Sequence, residues 1–113
     1  MTEGEHRYSI RLRKYIDVVI EDPLSSMLVR GGISDVSPRG MRVIADQYLP
    51  VGAKYTFTMK RNPFLRLRGE VRWIRAFTAD THQIGVRIVD ATEEDCKRLA
   101  DFLDGERKRL MGG

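Results

Sequence analysis

Cysteine is nearly absent: the 113-residue chain has one, Cys96. An internal disulfide is excluded, and a reducing, cytoplasmic setting is expected. Histidine is as scarce, with only His6 and His82, far apart and without cysteine at metal-ligand spacing. A structural zinc site is therefore not expected. No apolar run approaches the roughly 20 residues of a membrane span, so no span is expected. The polar, acidic start Met1-Thr2-Glu3-Gly4-Glu5 does not read as a secretory signal. There is no G-x-S-x-G elbow, no P-loop and no G-x-G-x-x-G ahead of a helix. The carboxylates read as surface charge and helix caps, so the chain is expected not to be an enzyme.

What the sequence has in quantity is arginine. Lys and Arg total 20 against 16 Asp and Glu, a net charge of +4, and fifteen of those cations are arginine. Guanidinium forks onto phosphate and guanine edges and stacks on flat rings, which a lysine point charge cannot do. Hydrophobic residues at 42% suit one folded domain.

Four prolines, Pro23, Pro38, Pro50 and Pro63, punctuate the first 63 residues. Short stretches between and after them alternate with period two: Ile16/Val18/Ile20, Met41/Val43/Ala45, Tyr55/Phe57/Met59, Leu65/Leu67/Gly69/Val71/Trp73 and Ile84/Val86/Ile88. A further strand is expected over Leu28 to Ser34. Such a succession predicts an antiparallel barrel or sandwich. After Asp90 the period becomes helical. Thr92 and Asp95 form a capping-box pair, and Cys96, Leu99, Ala100 and Leu103 recur on one face. Gly105 reads as a stop, and Cys96 as a small core residue. Trp73 shares the face of Leu65, Leu67 and Val71 and is expected in the core. Residues 1–14, with His6, Arg7, Arg11, Arg13 and Lys14, form a basic block with few apolar anchors and are expected to be a flexible arm.

The informative segment is Asp35-Val36-Ser37-Pro38-Arg39-Gly40, a D-x-S-x-x-G pattern between two strands. Its residues are ordinary turn formers, and one reading is a turn whose side chains bond their own backbone. The other is a nucleotide loop. A carboxylate accepts the N1–H and N2–H of guanine, a hydroxyl donates to phosphate, and glycine lets the backbone come close. Upstream, Arg7-Tyr8-Ser9-Ile10-Arg11 gives R-x-x-x-R directly before the first strand.

In this order, the two motifs and their strands resemble a PilZ domain. Leu49-Pro50-Val51-Gly52, Gly69-Glu70-Val71-Arg72-Trp73 and Ile84-Gly85-Val86-Arg87-Ile88-Val89-Asp90 before a helix agree with that family. The resemblance covers about residues 6–104. It implies an all-β fold: a six-stranded antiparallel β-barrel over 15–90, a C-terminal helix over 91–111, and the flexible N-terminal arm over 1–14. It implies a bacterial receptor for cyclic di-GMP, with no further cofactor. By the same resemblance Arg7 and Arg11 clamp the ligand, Asp35 and Ser37 read base edge and phosphate, and Gly40 permits close approach. His6, Ser34 and Arg39 are auxiliary candidates. A protein effector is expected as the partner. Two other readings stay open on the sequence: a nucleic-acid-binding barrel, and a PilZ-like adaptor that acts without ligand.

Overall fold

The structure is a computed structural model and describes residues 10–22, 24–61 and 64–112. Among the described residues six strands form: β1 (Ile10–Asp22), β2 (Met27–Val36), β3 (Gly40–Ala45), β4 (Lys54–Met59), β5 (Leu65–Ala76) and β6 (His82–Val89). A helix, α1 (Glu93–Gly112), follows. All pairings are antiparallel, and the strands close into a barrel in the order β1-β2-β3-β6-β5-β4. Closure leaves no free sheet edge among the described strands.

The period-two alternation fills the barrel. Ile20, Ile33, Val43, Phe57, Met59, Val71 and Ile84 are fully buried, while outward neighbours such as Glu21, Arg42 and Arg72 are exposed or half-buried. Removal of a side chain such as Phe57 from such a core costs about 3–5 kcal/mol. Leu99, Phe102 and Leu103 of α1 join the same cluster, so the helix packs against the barrel. The capping pair forms in both directions: the Asp95 N–H donates to Thr92 Oγ1 (3.0 Å) and the Thr92 N–H to Asp95 Oδ2 (3.1 Å).

Three details of the sequence reading are revised. First, β1 starts at Ile10, so residues 10–14 have strand backbone where a loose arm was expected. Their pairing is irregular, with Arg11 opposite Asp35 and Ile16 opposite Ile33. Second, α1 continues through Gly105. The cause lies one residue on: Glu106 is 5% exposed, accepts a 2.8 Å bond from Arg61 Nη2 and has Arg109 Nη1 at 3.6 Å. Leu99, Phe102, Leu103 and Glu106 thus share one face, and a buried ion pair anchors the last turns. Third, Cys96 is exposed rather than in the core. The buried stripe begins one turn later, at Leu99.

Because Gly105 is helical and a Cβ there meets nothing within 4 Å, Gly105→Ala should stabilise the protein by about 0.5–1 kcal/mol. A urea midpoint that falls instead would mean that the helix stops there. Burial, reinforced by the Asp22 carboxylate, pushes the Tyr55 hydroxyl above its ordinary pKa of 10.0. The folded state therefore favours the neutral phenol. That contribution is intact below the unfolded pKa and is lost as pH climbs through the raised folded value. Urea midpoints measured from about pH 9 to 11 should fall more steeply for the parent than for Tyr55→Phe.

Candidate functional site

The ladder registers bring distant motifs abreast. Arg11 of β1 stands opposite Asp35 of β2, Asp35 opposite Arg42 of β3, Arg42 opposite Gly85 of β6, and Gly85 opposite Trp73 of β5. One transverse row of the barrel thus runs from the R-x-x-x-R motif through the D-x-S-x-x-G motif to the chain's single tryptophan. Of Arg11 the structure describes the backbone alone, and Arg7 and His6 lie outside the described residues.

Two bulges turn this row outward. In β2, Ile33 pairs with Val43 and Asp35 with Arg42, which leaves Ser34 as the extra residue. Ile33 and Val36, three apart, are both buried, and Asp35 between them is half-exposed. In β5, Val71 pairs with Val86 and Trp73 with Gly85, so Arg72 is the extra residue. Val71 and Ile74 pack inward, and Trp73 comes out. This corrects the expectation that Trp73 is a core residue: an inserted residue reverses the parity of everything after it. A Cβ on Gly85 would run into the indole, so the ring rests directly on that glycine.

The row borders an open recess of about 330 Å³, lined among others by Asp35, Ser37, Arg39, Arg42, Arg72, Trp73 and Arg87. Four guanidinium groups and one carboxylate therefore face one recess. Arg42 and Arg87 form no ion pair among the described residues. The Arg72 charge has Glu70 at 3.6 Å. The Arg75 guanidinium lies 5.1 Å from the Trp73 ring centroid and donates a 2.8 Å bond to Gln83 Oε1. Chemically, the recess suits an anion that also carries a flat ring.

The D-x-S-x-x-G turn forms the wall nearest β6. Ser37 Oγ accepts from the N–H groups of Gly40 (3.2 Å) and Arg39 (3.3 Å) and donates to the Gly40 carbonyl (3.3 Å). It closes its own turn, as the first reading of the sequence had it. The Ile88 N–H donates to the Arg39 carbonyl (2.8 Å) and ties the turn to β6. Gly40 allows a close approach, though in this structure it is to the backbone: a Cβ there would meet the Val86 carbonyl oxygen. Ser34 Oγ donates to Asp35 Oδ2 at 2.9 Å and orients the carboxylate.

The structure thus brings Asp35, Ser37, Arg39 and Gly40 to one recess, with Arg11 in register beside them. Sequence reasoning missed Arg42, Arg72, Trp73 and Arg87. The abundance of arginine was legible in the sequence. The convergence of these residues depends on the register of β3 with β6 and on the bulge in β5.

The PilZ domain family model matches residues 5–105. No curated protein matches the chain. Among solved structures, the PilZ domain of YcgR from Escherichia coli with c-di-GMP superposes with a TM-score of 0.73 at 11% identity, covering 91% of each chain. YcgR from the same organism in complex with c-di-GMP gives 0.77 at 11% identity, over 93% of this chain and 46% of that one. The Bacillus subtilis inhibitor of motility, MotI/DgrA, gives 0.69 at 17% identity, over 96% and 52%. The chain thus spans about half the length of those two proteins, and at such identities the likeness is one of fold. The family match over most of its length decides the assignment: the chain belongs to the PilZ domain family.

Proposed function

We propose that the chain is a cytoplasmic receptor for cyclic di-GMP that acts on a protein effector and catalyses no reaction itself. The observation that carries this reading is the transverse row, which sets Asp35, Arg42 and an outward indole beside Arg11 on one recess. The ligand combines two guanines with two phosphates. A guanine edge offers two N–H donors to the Asp35 carboxylate, and its O6 and N7 accept a guanidinium fork. The phosphates neutralise the arginines that crowd the recess. Trp73, seated on Gly85, offers a flat face to a base that takes the place of the Arg75 guanidinium over the ring.

In this reading Arg7 and Arg11 close the N-terminal segment over the ligand and change the surface that a partner meets. Ser37 and Gly40 shape the turn that presents Asp35 and Arg39, with Ser37 able to exchange a main-chain bond for phosphate. Ser34 holds the carboxylate, and His6 adds charge beside Arg7 when protonated. Among solved neighbours, YcgR is in complex with c-di-GMP and MrkH is a c-di-GMP-dependent transcription regulatory factor, which supports the ligand class and an effector role.

The test is a calorimetric titration of cyclic di-GMP into the parent protein, Arg11→Ala and Asp35→Ala. Each substitution removes a charged contact worth on the order of 1–3 kcal/mol, so affinity should fall about tenfold or more in each. Equal affinity in all three proteins would overturn the reading.

A further inference from the structure

The outward face of β1, β2, β3, β6 and β5 carries more than the recess uses. Tyr15 of β1 is 52% exposed and lies over Gly32: a Cβ built there would sit 3.0 Å from Tyr15 Cβ and 3.1 Å from Cδ2. Gly32 pairs with Ile44, and Ile44 with Gln83, one outward step along the strands from the row of Arg42 and Gly85. Two exposed aromatic rings, Tyr15 and Trp73, are therefore each seated on a glycine, with Arg42 and half-buried Ile44 between them. Gly32 and Gly85 are separated by β3, so they lie about 10 Å apart across the strands and about 7 Å along them.

Exposed rings interleaved with arginine are what a single-stranded nucleic acid requires. Bases stack on the rings whatever their sequence, and guanidinium groups take the phosphates. A spacing of about 12 Å between the glycine seats is far wider than the roughly 3.4 Å step of a stacked strand. A base inside a duplex has both faces stacked on its neighbours, so only the splayed bases of a single strand can lie flat on the two rings. Tyr15 lies outside the recess, so a dinucleotide held there does not account for its placement.

We propose that this face binds single-stranded nucleic acid, with one base on Trp73 in place of the Arg75 guanidinium that lies over the ring, a second on Tyr15 and the intervening phosphates on Arg42. Because Trp73 and Arg42 also line the recess, the strand and a ligand in the recess exclude one another; that clause alone rests on the function proposed above.

The experiment is fluorescence anisotropy of a labelled oligothymidylate of about twelve nucleotides, within the site size of a small barrel, against a duplex of the same length. The parent should bind the single strand at least tenfold more tightly than the duplex. Affinity should drop with salt between about 50 and 200 mM. Tyr15→Ala and Tyr15→Leu should each weaken oligonucleotide binding about tenfold, while Tyr15→Phe retains it. Leu keeps apolar cover over Gly32, so its loss of binding, with an unchanged thermal midpoint, separates stacking from folding. Cyclic di-GMP affinity should stay within twofold in every Tyr15 variant. Equal affinity for duplex and single strand, or Tyr15→Leu binding as well as the parent, would overturn the proposal. If excess cyclic di-GMP binds the protein without displacing the oligonucleotide, mutual exclusion fails. If the dinucleotide does not bind at all, the Tyr15 comparison still decides the strand proposal by itself.

Discussion

A β-strand shows alternate side chains to alternate faces, and the site depends on breaking that rule twice. The extra residues Ser34 and Arg72 each shift the parity of their strands. Without the first, Asp35 and Val36 could not present a carboxylate outward and a valine inward while Ile33 stays in the core. Without the second, Trp73 would follow Val71 into the barrel. Both bulges lie on the same transverse row, on strands separated by β3 and β6. The hydrophobic core pins the register on either side of each bulge, so burial of Ile33, Val36, Val71 and Ile84 holds the polar residues where they are.

The same arrangement gathers like charge. Arg39, Arg42, Arg72 and Arg87 line one recess, and among the described residues Asp35 shares that lining and Glu70 lies 3.6 Å from Arg72. Exposed guanidinium groups at this spacing tolerate one another because water screens them. A bound polyanion would remove the repulsion and gain charge-assisted bonds, so the recess has more to offer an anion than its neutral contacts would suggest. In the last turns of α1, charge is used differently. Glu106 is buried between Arg61 and Arg109 and locks α1 to the loop after β4, so that the helix is a fixed wall rather than a free tail.

Much of this was legible in the sequence, and the exceptions share a cause. The strands showed themselves through period two, because a half-buried strand must alternate, and the capping pair Thr92 and Asp95 formed as its residue types require. D-x-S-x-x-G marked a turn, which lines the recess, and the Ser37 hydroxyl serves the turn's own backbone. Trp73 was misplaced because a bulge leaves no composition signature and alternation was extrapolated through it. Cys96 was misplaced because a helix face was read as uniform, whereas α1 meets the core only from Leu99 onward. Gly105 was read by local propensity as a stop, and a tertiary ion pair one residue later carries the helix past it. In each case a contact distant in sequence outweighed a local rule.

The claim on which the account turns is that Trp73 and Asp35, far apart in the chain, face one ligand. The most direct measurement is the emission of Trp73, the single tryptophan, during a titration with cyclic di-GMP. The account predicts a saturable change whose midpoint matches calorimetry and moves about tenfold higher in Asp35→Ala. Emission that stays unchanged while calorimetry shows the protein saturated would contradict it, since the ligand would then sit away from the row that the two bulges build.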